Sequence, residues 1–157
     1  NVDILSNVDL RKFYNSDRKL MCASCGIPQE EAGAVLLVSW RKTKRYLLFN
    51  HEMRLVGWVN IETGEVKSPY QEVQEASVDD LQKQFHMYAF SGIHSFSPQL
   101  FPLMDAYPDR FPIMDFYLQN CDKVPIKGYV KSDLELMDVG KLDTLEQAET
   151  FAERLKQ

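Results

Sequence analysis

The hydrophobic pattern along the chain changes period several times, and each change predicts an element. Ala34 to Trp40, "AVLLVSW", is continuously apolar and β-branched, as in a strand buried on both faces. "RYLLF" (45–49) and "RLVGWVN" (54–60) flank the polar link "NHEM", which predicts a hairpin. Thr63-Gly64 supplies a second turn, so "EVKS" is expected as a third short strand. "HMYAFSGIHSFS" (86–97) predicts a strand pair or one long bent strand, with Gly92 in its middle. "VDIL" (2–5), "IKGYVKS" (126–132) and "LELMDVG" (134–140) read as further short strands.

Helical spacing occupies other stretches. Asp9 can cap a short helix, "LRKFYN", by accepting from free N–H groups of its first turn. Ser97-Pro98 starts another, with Ser at the cap and Pro at the first helical position. "PIMDFYLQNC" (112–121) gathers Ile113, Phe116, Tyr117 and Leu118 on one side. A last helix is predicted from Thr144 to Leu155, with Thr144 and Gln147 as a capping box. Residues 15–33 read as irregular or partly helical, and 68–82 as a polar loop. Strands mixed with helices predict an α/β fold with a mixed sheet and flanking helices. No repeat or composition shift marks a boundary, so residues 1–157 are expected to form a single domain.

Composition narrows the function classes. At 157 residues, 45% hydrophobic and 11% aromatic, the chain can build a core. A net charge of −5 disfavours a general nucleic-acid surface. The one basic cluster, "WRKTKR" (40–45), reads as a solvated turn between strands. No apolar run reaches the roughly 18 residues of a membrane span, and "NVDILSNVDLRK" lacks the layout of a signal peptide. The first residue is Asn, which suggests a processed or cut chain. Three cysteines, Cys22, Cys25 and Cys121, argue against a disulfide scaffold and for a reducing cytoplasm. Cys22-Ala-Ser-Cys25 has the C-x-x-C spacing but lacks both a second ligand pair for zinc and the preceding strand of a redox motif.

Two acids share one context. Asp3 and Asp138 each stand near the end of a short apolar strand, where α/β sheets present ligand-binding groups. Two carboxylates there suit magnesium, which prefers hard oxygen donors. From spacing alone, each Asp reads first as a turn or cap residue.

Five segments carry a resemblance. "NVDILSNVDL", "RKTKRYLLFNHEMRLVGWVN", "AFSGIHSFSPQLF", "FPIMDFYL" and "LMDVGKLDTLEQAE" resemble, in this order, segments of the sugar-phosphate nucleotidyltransferases. The nearest forms are the mannose-1-phosphate guanylyltransferase and muramate-phosphate uridylyltransferase types. The resemblance implies the C-terminal portion of a Rossmann-like catalytic domain. It implies an enzyme that joins a nucleoside triphosphate to a sugar 1-phosphate and releases pyrophosphate, with Mg²⁺ as cofactor. By position, Asp3 and Asp138 would be its catalytic metal ligands. Asn60 and Gly92 would contact the sugar, with the missing Cβ of Gly92 allowing close approach.

The sequence departs from that pattern. The Gly-rich G-x-G-T-R-L triphosphate loop does not occur in it. Roughly the N-terminal two-fifths of the domain would lie outside this sequence, leaving sheet edges open to a homodimer. The chain alone is then expected to be inactive or nearly so. Val59-Asn60 replaces the Glu, often Glu-Lys, of many relatives, and Lys141-Leu142 replaces Thr-Pro. The alternative expectation is a non-catalytic sugar-phosphate-binding or dimerisation module derived from the same fold.

Overall fold

A computed structural model describes residues 4–6, 9–14, 19–21, 28–133, 136–138 and 151–154. Chain contacts divide it into two compact units.

The first unit comprises 1–16 and 131–157. Its strands β1 (Ile4–Ser6) and β10 (Leu136–Asp138) form an antiparallel ladder, with Ile4 opposite Asp138, Leu5 opposite Met137 and Ser6 opposite Leu136. Helix α1 (Leu10–Tyr14) follows the predicted cap: the Asp9 Oδ1 accepts from the Lys12 N–H at 3.0 Å. Phe13 is its buried residue. Residues 151–154 are helical and Phe151 is buried. The rest of the predicted 144–155 helix, with its Thr144 box, lies outside the described residues.

The second unit, 17–130, holds the main sheet. Its strands are β4 (Ala34–Ser39), β5 (Arg45–Phe49), β6 (Leu55–Asn60), β7 (Val66–Lys67), β8 (His86–Phe96) and β9 (Ile126–Val130). They run in the order β7-β6-β5-β8-β4-β9. All neighbours are antiparallel except β4 and β9, which are parallel. The fold is therefore α/β with a mixed, six-stranded open sheet and flanking helices. Every residue of β4 is buried, as its unbroken apolar run requires between two strand neighbours. The predicted 45–60 hairpin forms with Arg45 opposite Asn60.

The sheet's flanks divide the apolar residues between two clusters. One joins Leu36, Val38, Leu47, Phe49 and Leu55 to Phe116, Tyr117 and Leu118 of helix α5 (Ile113–Asn120). The other joins Leu48, Val56 and Val59 to Val73 and Leu81. The outer side of β9 is partly occupied: the Gly128 N–H donates to the Met53 carbonyl at 2.9 Å, and Arg54 bridges Lys127.

Two expectations change, and a third is decided between its two readings. The stretch 68–82 is not a loop. It carries helices α2 (Gln71–Gln74) and α3 (Val78–Gln84), because the Ser77 hydroxyl accepts from the Asp80 N–H at 3.2 Å and Val73 and Leu81 bury against the sheet. Within 15–33, β2 (Lys19–Met21) and β3 (Pro28–Glu31) pair antiparallel. Strands of three and four residues are too short to leave a periodic signature. Residues 86–96 form one strand, bent where its register against β4 shifts between Leu36 and Val38. Ser97 caps as predicted, its hydroxyl accepting from the Gln99 N–H at 3.3 Å. The turn it opens is 3₁₀ over Pro98–Leu100, before α4 (Phe101–Met104).

Candidate functional site

Asp138 ends β10, opposite Ile4, the chain neighbour of Asp3. Asp3 itself lies outside the described residues, as do Cys22 and Cys25.

Asn60 ends β6 and is buried. Its Oδ1 accepts from the Glu62 N–H at 3.0 Å and the Thr63 N–H at 3.3 Å. Its backbone N–H donates to the Glu65 carbonyl at 2.8 Å, and its carbonyl accepts from the Gly64 N–H at 2.8 Å. Asn60 therefore folds the β6–β7 turn by an Asx-type hydrogen bond, and Gly64, at φ +77°, completes that turn. Its Nδ2 amide has no partner among the described residues.

Gly92 sits at the β8 bend with φ +84°, exposed, and an added Cβ would meet nothing within 4 Å. Its necessity is conformational: positive φ costs an L residue strain even in open space. Ser91 stitches the bend. Its hydroxyl donates to the Leu37 carbonyl at 2.7 Å and accepts from the Ile93 N–H at 3.1 Å, so the groups freed by the register shift stay satisfied. Two residues on, the Nδ1 of His94 lies 2.6 Å from the Tyr117 hydroxyl, and burial pushes the imidazole below its ordinary range.

The sheet separates Asn60 from Gly92. Strand β5 runs between β6 and β8 and pairs with β8 only over His86–Tyr88, short of Gly92. Cys121 offers no nucleophile: it is buried, and desolvation, with the Asp122 carboxylate adding to it, pushes the thiol up to about 12.

The sequence reading missed a cleft of about 570 Å³ lined by Trp40, Arg41, Lys42, Tyr46, Ile61, Gln82, Phe85, His86 and Met87. Half of its signal was visible, as a Trp ending an apolar strand and running straight into Arg-Lys. Gln82 belongs to a helical stretch that reads as loop, and Phe85 follows that helix as its C-cap. Compared with family models, curated proteins and solved structures, the chain matches none of them.

Proposed function

We propose that this chain is the magnesium- and sugar-phosphate-binding portion of a sugar 1-phosphate nucleotidyltransferase, built on a Rossmann-like domain. The observation that carries the reading is the register of the first unit. Asp138 ends β10 and pairs with Ile4, the residue that follows Asp3 in the sequence. The five ordered segments of resemblance add to it, and the parallel β4–β9 pair in a mixed sheet is compatible with it.

A pair of carboxylates fits magnesium by donor chemistry, since both supply the hard oxygens the ion prefers. When bound, the ion would neutralise charge developing on phosphate oxygens. The chain's own residues orient and position. Asp3 and Asp138 would hold the charge-neutralising end. Within the second unit, the Nδ2 of Asn60 can donate to a sugar hydroxyl, while Gly92, on the far side of β5, shapes the β8 bend. Positioning of this kind is most of what phosphate transfer asks of a protein.

The test is a Mg²⁺ titration of the chain followed by amide NMR. Saturable shifts confined to residues around Asp3 and Asp138, and lost in Asp138→Asn with the fold intact, are expected. Shifts unchanged by Asp138→Asn would remove the acid from the metal role. Pyrophosphate release over a panel of nucleotides and sugar 1-phosphates should stay at background for these 157 residues, which include no Gly-rich loop. Turnover should rise when they are joined to a segment supplying that loop.

A further inference from the structure

The basic link between β4 and β5 has no part in that chemistry, yet it forms much of the 570 Å³ cleft. Trp40, at the end of β4, is 66% exposed. Its ring is nonetheless held, edge-on against Tyr88 with centroids 4.9 Å apart. The link is pinned further along, where the Thr43 N–H donates to the Tyr46 hydroxyl at 3.1 Å. A large aromatic surface fixed in water beside a concavity is a feature that ligands use.

The charges around it point one way. None of the described lining residues is acidic. Arg41 and Lys42 are exposed and form no ion pair among the described residues, whereas the next cation, Lys44, is neutralised by Glu62 at 2.7 Å. Arg41 also lines an adjoining cleft of about 350 Å³ with Arg45, Trp58 and Phe90. Unpaired cations beside an aromatic platform suit a ligand that joins an anion to a flat ring. Arg and Lys both favour phosphate, Arg through its planar fork, and an exposed indole offers a stacking face. A polyanion is the poorer fit, because the chain as a whole carries −5 and the cationic surface is a single concave site.

We propose that this cleft binds a small phosphate monoester of an aromatic group, its ring against Trp40 and its phosphate on Arg41 and Lys42. The described lining of the cleft includes neither Asn60 nor Gly92. It goes beyond the nucleotidyl-transfer reading, and either can fail without the other.

Phenyl phosphate is the probe, titrated while tryptophan fluorescence is read and repeated by calorimetry. The second tryptophan, Trp58, is half-buried with the Lys67 ammonium 4.9 Å from its ring centroid, and the titration is run in Trp58→Phe as well so that the signal belongs to Trp40. Saturable change in Trp40 emission is expected. Trp40→Phe should abolish the optical signal while calorimetry still detects binding. Trp40→Ala should weaken binding about tenfold, and the double variant Arg41→Gln/Lys42→Gln by about tenfold or more. Inorganic phosphate and phenol should each bind at least about tenfold more weakly than the ester. Raising salt from about 0.05 to 0.5 M should weaken the ester several-fold.

The substituted side chains are exposed, so the variants should keep the wild-type circular dichroism. The proposal is overturned by no saturable signal, by equal affinity for inorganic phosphate, or by undiminished binding in the double variant. Tighter binding of a single-stranded oligonucleotide than of phenyl phosphate would also overturn it, making the cleft a polyanion surface.

Discussion

Substituting Gly92 separates two explanations of the same residue. If the glycine were there because neighbouring atoms crowd it, any side chain would clash and the cost would be large. The structure puts φ at +84° with nothing within 4 Å of an added Cβ. The expected cost of Gly92→Ala is then conformational strain of about 1–2 kcal/mol. It is offset by about 0.4–1 kcal/mol, because Ala lowers the entropy of the unfolded chain. The net loss should be about 1 kcal/mol. With a urea m-value of about 2 kcal/mol/M, the midpoint should fall by about 0.5 M at unchanged slope. Asn tolerates positive φ better than Ala, so Gly92→Asn should lose less. Urea unfolding of the three proteins, followed by circular dichroism, gives both numbers. A loss above about 3 kcal/mol for Ala, or an Asn variant no better than Ala, would refute the conformational account.

Gly128 makes the opposite case. A Cβ there would lie 2.8 Å from Cε1 of the fully buried Phe49 and 3.0 Å from Cε of Met53, so Gly128→Ala should cost about 1–3 kcal/mol in the same unfolding assay. His94 predicts a pH dependence. Its folded pKa is pushed down by burial, so on acidification through about 6.5 the unfolded chain takes up the proton first and stability declines. The fall in melting temperature from pH 8 to pH 5 should be smaller in His94→Gln than in wild type, and equal slopes would argue against it. Cys121, with its thiol near 12 and no exposure, should resist alkylation at pH 8 until denaturant is added; mass mapping of the labelled peptide reads this directly.

Much of the fold was legible where one residue pattern leaves one option. The apolar run Ala34–Ser39 could only be a doubly covered strand, and it is buried throughout. Arg45–Phe49 and Leu55–Asn60 around a polar link could hardly avoid pairing. The short helices at 71–84 escaped notice because a few buried residues, Val73 and Leu81, carry them among many charges. Helices of one or two turns hold little periodicity, and tertiary contact decides them. The β2–β3 pair escaped for a similar reason, since strands of three and four residues are too short to leave a periodic signature.

The candidate site divides along the same line. Residue types and spacing singled out Asp138, Asn60 and Gly92 and placed each at a strand end or bend. Their reasons for being there come from three dimensions. Asn60 spends its carbonyl oxygen on a turn, and Gly92 is demanded by a bulge whose register only pairing with β4 creates. The cleft at Trp40 could not be assembled from the sequence, because its walls come from five separate elements or links that meet only after the sheet has formed. The sequence by itself determined the longer strands of the main sheet, the acid that ends β10 and which cations cluster. The tertiary structure alone decided register, which groups remain unpaired, and where a concave surface opens. Those are properties of chain segments far apart in sequence, and no local pattern encodes them.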